Sequence, residues 1–157
     1  MFVKTVKIKK TAQILGYILM ALLLVFVAVF LFNRFYGGSK SITLDSEAAQ
    51  LDFLHELGWE TSECAIDVRS VIIPEEWNDV YNQYNDLQLE QGLDLSDYKG
   101  CAVEIYTYEI YNYADEDNVV VNLMICDGKL VAGDVCCTEL GGFMQGLVRE
   151  GTAAEAL

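Results

Sequence analysis

The first 40 residues contain no acid, and residues 41–157 contain only four bases, Arg69, Lys99, Lys129 and Arg149. With six bases before residue 41 and all 24 acids after it, the two parts carry +6 and −20, which together give −14. A domain of that charge lacks the basic footprint that a phosphate backbone needs, which excludes nucleic acid as a partner and argues against lying flat on anionic lipid. Histidine is scarce as well: His55 is the only one. There is no C-x-x-C pair, no G-x-S-x-G elbow, no H-E-x-x-H and no glycine-rich phosphate loop. The expectation is a protein without a catalytic constellation, a metal site or a cofactor.

What is present first is an apolar run. Ile14 to Phe32, "ILGYILMALLLVFVAVFLF", holds no charge. At about 1.5 Å per helical residue it spans roughly 28 Å, the thickness of a bilayer's hydrocarbon core. The rival reading is a cleaved signal peptide, since "KTVKIKK" resembles a basic leader. The run is longer than the roughly 7 to 15 residues of such leaders, and no small-residue cleavage site follows it. No cysteine lies near its end to take a lipid. The expected layout is therefore a basic cytoplasmic N-terminus (1–13), a signal-anchor span (14–32), a tether (33–45), an exported domain (46–147) and a frayed tail (148–157). Four lysines before the span, against Arg34 and Lys40 after it, place the N-terminus in the cytoplasm and the acidic domain outside the cell membrane.

Within the domain, Asp45 or Ser46 is a candidate N-cap for a helix carrying Ala48, Leu51, Leu54 and Leu57, with Gly58 as its stop. "CAIDVRSVIIP" reads as a strand. Pro74 suits the first turn of a second helix, whose apolar stripe is Trp77, Val80, Tyr81, Tyr84 and Leu87 and which runs to about Gln91. Residues 101–113 read as a strand, and Asp127-Gly128 as a two-residue hairpin turn requiring positive φ at both positions. A short helix is expected from about Phe143. The fold class expected is α+β: an antiparallel sheet, made of a three-stranded meander plus one strand, packed on one face against two helices.

A regular hairpin about Asp127-Gly128 sets Cys136 opposite Val119 and puts Cys126 and Cys137 on one face, roughly 26 Å apart at 3.3 Å per residue. That separation rules out a bridge between them. Five cysteines cannot all pair within one chain; buried thiols acting as small hydrophobes are the leading expectation, with a Cys64–Cys101 disulfide left open. Tyr106 and Tyr108 share one strand face and Tyr111 and Tyr113 the other, so one pair is a candidate contact for a peptide, glycan or protein.

"FLHELGWE", "IPEEWNDVYNQYNDLQLEQGLDLSDYKG", "YTYEIYNY" and "DGKLVAGDVCCTELGGFMQGL" together resemble a family of small bacterial membrane-anchored proteins built around a domain of unknown function, number 4830. The resemblance covers residues 50 to 147 and implies a bacterial origin and a single anchor with one domain. It assigns no catalytic or binding residue. The function expected is a non-enzymatic, extracytoplasmic binding or sensing module with an unknown protein, peptide or cell-wall partner. The alternatives are a thiol-dependent redox protein using Cys136 or Cys137, and a structural subunit of a membrane complex.

Overall fold

A computed structural model describes residues 17–28, 41–114 and 116–149. The chain forms two units, Met1–Gly38 and Ser39–Leu157. In the first, residues 17–28 form a helix (α1) whose side chains are all exposed. Among the described residues no helix is long and apolar enough to cross a membrane. The expected span extends past α1 at both ends, and residues 14–16 and 29–32 lie outside the described ones.

The second unit is α+β. Its elements are α2 (Glu47–Glu56), β1 (Asp67–Ile72), α3 (Asp79–Glu90), a 3₁₀ turn (Leu95–Tyr98), β2 (Ala102–Glu109), β3 (Val119–Cys126), β4 (Lys129–Cys137) and β5 (Met144–Gln145). The five strands form one sheet in the order β1-β2-β3-β4-β5, and every pairing is antiparallel.

Ser46 caps α2, its Oγ accepting from the Ala49 N–H, and the helix buries Gln50, Phe53 and Leu54. The second soluble helix begins five residues later than Pro74 suggests. Asn78 captures the cap instead, its Oδ1 accepting from the Tyr81 N–H at 3.1 Å. Trp77 stays outside the helix, with the Lys99 ammonium 4.2 Å above its ring. The inward face of α3 is accordingly not the expected apolar stripe: Val80 is 69% exposed, and the buried residues are Asn85 and Gln88.

The helices also take opposite faces of the sheet, where a single helical layer was expected. Phe53 and Leu54 of α2 pack with Tyr108, Val121, Leu123, Ile125 and Val135. Leu95 of the 3₁₀ turn and Tyr84 of α3 pack with Val103, Cys126 and Ala132. The central strands are covered on both sides, which is why β3 reads as a continuous apolar run interrupted only by Asn122.

The hairpin turn is as expected, with Asp127 at φ 49° and Gly128 at 73°. The register beyond it is not. Ile125 opposes Leu130, but Met124 opposes Ala132, so Val131 is an extra residue in a bulge. Cys136 therefore faces Val120, not Val119. Since a one-residue slip reverses every side chain beyond it, Cys136 shares the face of Cys126 and Cys137 takes the other.

The outer edge of β4 is sealed along most of its length. Residues 42–44, expected in the tether, bond to its start: the Leu130 N–H donates to Ile42 O at 2.9 Å, and the Leu44 N–H to Gly128 O at 2.7 Å. In the middle, Gln88 Oε1 accepts from the Gly133 N–H at 2.8 Å and Gln91 Nε2 donates to Gly133 O at 3.1 Å. At the far end β5 pairs with Val135 and Cys136 where a helix was expected, because an open strand edge offers the tail a ladder. The tail is held further by Trp59 Nε1 donating to Leu147 O at 2.7 Å, and by Arg149, placed by the sequence in a frayed end, donating to Gly58 O and Asn112 O. Among the described residues β1, at the other edge of the sheet, has no such cover.

A candidate cation-binding groove

Because α2 packs over the middle of the sheet, its N-terminal end and the strands near β1 enclose an open cleft of about 550 Å³. One wall is the chain entering α2, Leu44 to Glu47; the floor is Val68 of β1, Glu104 and Tyr106 of β2, and Ile125 of β3; the hairpin turn Asp127-Gly128 closes one end. Gly128 makes this closure feasible, since a Cβ there would stand 3.1 Å from Asp45 Cβ on a backbone already at positive φ.

Four carboxylates, Asp45, Glu47, Glu104 and Asp127, line the cleft, and no lysine or arginine is among its described lining residues. Tyr106 stands half-buried among them, its hydroxyl donating to Glu104 Oε2 at 2.8 Å. That hydrogen bond, with partial burial, pushes the phenol pKa above 10.0. Glu47 is held by accepting from the Ala65 N–H at 3.2 Å. An aromatic face beside fixed carboxylates is the chemistry that receives a guanidinium or ammonium group.

The other residues singled out from the sequence are scattered. Tyr108 is fully buried, its hydroxyl donating to Gln50 Oε1 at 2.6 Å, and burial first of all pushes its pKa up to about 12. β2 ends at Glu109, so Tyr111 and Tyr113 do not continue its alternation. Tyr111 is 61% exposed; Tyr113 stacks between Trp59 and Phe143, at 5.9 and 4.8 Å between ring centroids, beside a separate cleft of about 410 Å³ that includes Arg149. All five cysteines are unpaired, including Cys64 and Cys101. Cys126 alone is buried, and Cys64 is exposed, so packing accounts for some of the thiols and not for all. Burial, followed by the nearby Asp134 carboxylate, pushes the Cys136 thiol up to about 11, the opposite of activation.

Sequence reasoning missed the polar cluster under α3. Asp134 is 3% exposed, yet it has hydrogen-bond partners and no cation: Tyr84 Oη donates to its Oδ1 at 2.9 Å and Asn122 Nδ2 to its Oδ2 at 3.0 Å. Thr107 Oγ1 in turn donates to Asn122 Oδ1 at 2.8 Å. Burial raises the Asp134 pKa despite the hydrogen bonds that oppose the shift. The available signal was Asn122 and Asp134 as polar residues inside apolar strands.

The family profile described as Domain of unknown function (DUF4830) matches residues 53–135. The chain belongs to this family. The DUF4830 match begins at Phe53 in α2 and ends at Val135 in β4, so it contains the groove's floor and hairpin turn but not Asp45 or Glu47. No curated protein and no solved structure matches the chain.

Proposed function

We propose that this DUF4830 chain is a non-enzymatic binding module, carried on the outer face of a bacterial membrane by the apolar segment 14–32, and that it takes a guanidinium- or ammonium-bearing ligand in the groove beside Tyr106. One observation carries the reading: Tyr106 is half-buried among Asp45, Glu47, Glu104 and Asp127 in a cleft lined by no described base. Membrane attachment is supported by α1, on which ten large apolar side chains from Tyr17 to Val27 are 42–70% exposed. The outside location is supported by the basic residues before the span. The thiol reading draws no support from a Cys136 whose proton is held more tightly than usual.

The test is a titration of the full chain in non-ionic detergent with arginine amide, followed by the amide shifts of the groove. Tyr106→Ala and Glu104→Gln are each expected to weaken binding by about 1 kcal/mol, roughly fivefold, as the loss of one partly solvated cation contact. Unchanged binding in both variants would remove the groove from the proposal.

A further inference from the structure

We infer that β1 is the acceptor edge for an extended basic segment of a partner protein, which adds to the sheet as a sixth strand. The two sheet edges are treated differently. β4 has its outer groups taken by residues 42–44, Gln88, Gln91 and β5, whereas β1 is the terminal strand of the sheet with nothing paired beyond it among the described residues. The Ile73 N–H donates to Cys101 O at 3.0 Å, in phase with the Ile72↔Ala102 register. In an antiparallel pair alternate residues direct both backbone groups at the partner. Val71, Arg69 and Asp67 therefore point theirs at β2, and Val68, Ser70 and Ile72 present theirs outward.

The side chains point to the same use. Val68 and Ile72 are 52% and 69% exposed, and alternation along β1 puts both on the groove's side of the sheet. No proline or inward charge interrupts Asp67–Ile72, two of the usual protections of an unpaired strand; the edge ends at a bend at Ile66, whose N–H donates to Thr107 O at 2.8 Å beside the Asp67↔Thr107 pair, and the ion pair Arg69–Asp67, at 3.1 Å, lies on the other face. An added strand would lay alternate side chains against Val68 and within reach of Glu104 and Glu47, which is main-chain recognition with side-chain specificity.

Charge selects the occupant. A second copy would bring another domain of −20 against this one, while a strand bearing lysine or arginine meets the groove's unneutralised carboxylates. The charge requirement rests on the groove reading above; the strand pairing does not.

The experiment uses the full chain in non-ionic detergent and an alternating lysine–valine peptide of about ten residues, the upper end of common strand lengths, with arginine amide in parallel. Protection of the Val68, Ser70 and Ile72 amides from hydrogen exchange is expected on peptide binding. Ser70→Pro removes one outward N–H without touching the β1–β2 ladder, and is expected to weaken the peptide about tenfold while leaving arginine amide unaffected. The same peptide N-methylated at alternate residues leaves the protein untouched and is expected to fail equally. A glutamate–valine peptide is expected not to bind.

Undiminished binding of the lysine–valine peptide to Ser70→Pro and of its N-methylated form to the wild type would overturn strand addition and leave the groove reading standing. Protection that grows with protein concentration in the absence of peptide would make the occupant a second copy. Failure of both peptide and arginine amide to bind would overturn both proposals.

Discussion

Asp134 occupies a position where charge is expensive: it is buried on β4 beneath α3, with no cation beside it among the described residues. Its raised pKa means that the folded chain keeps the proton to higher pH than the unfolded chain, which releases it near 3.8. Raising the pH through that window ionises the unfolded state first, so the contribution of this carboxyl to stability is greatest below 3.8 and declines until the folded carboxyl also ionises. Asp134→Asn removes this contribution, and its unfolding free energy by urea titration is expected to fall less steeply than the wild type's as the pH is raised above 3.8. Parallel profiles would disprove it. Tyr84→Phe deletes the hydroxyl that bonds Asp134 and is expected to cost about 1–2 kcal/mol, leaving one carboxyl oxygen without its donor. At this scale the sequence was partly legible. Tyr106 stood out as a strand aromatic that could be exposed, and it proved half-buried in a groove. The groove's other walls come from the approach to α2, β1, β3 and a hairpin turn, and no local pattern announces residues that meet only through the fold.

Among the elements, β3 and β4 were the most readable, because Asp127-Gly128 admits few turns other than the one formed. The bulge at Val131 was hidden, since "LVAG" is apolar throughout and carries no alternation from which a slipped register could be noticed. The start of α3 was misplaced because Pro74 and Asn78 both make good helix beginnings; the Asn78 side chain makes the cap, and Trp77 stays outside the helix with Lys99 over its ring. Most opaque were Gln88 and Gln91, which resemble surface residues of a helix and in fact serve as the backbone partners of a strand. Gln91 Oε1 also accepts from the Leu147 N–H at 2.6 Å, so one side chain ties α3, β4 and the tail. Gln91→Ala is expected to destabilise the domain by about 1–3 kcal/mol through stranded buried groups, and to speed hydrogen exchange at Leu147 more than at Val121 in the core. An equal effect at both amides would show that the glutamine acts on the whole domain and not on this junction. Gly133 belongs to the same junction, since a Cβ there would lie 2.7 Å from Leu147 Cδ1 and 3.0 Å from Asn122 O.

At the scale of the whole molecule, topology can be read through the cysteines, because their exposures differ. Cys64 is exposed, whereas Cys126 is buried. A membrane-impermeant maleimide applied to intact cells is expected to label Cys64 rapidly and Cys126 only after denaturation, with no reductant needed for either. Labelling of Cys64 that requires cell lysis would place the domain on the inner side. The division of charge along the chain predicts a second whole-molecule property: affinity for arginine amide should fall as salt is raised from 0.01 to 0.15 M, where the screening length contracts from about 30 to about 8 Å.

The stitching of residues 42–44 onto β4 has a mechanical meaning. A pull on the chain before residue 41 would reach the sheet at β4, and a strand docked on β1 would pull on the opposite edge. Tension between the two would cross the sheet perpendicular to its strands, drawing along the hydrogen bonds of the β1–β2, β2–β3 and β3–β4 ladders. The joints that carry the load into the sheet, the two hydrogen bonds of residues 42–44 and those of the docked strand, would part before these longer ladders do.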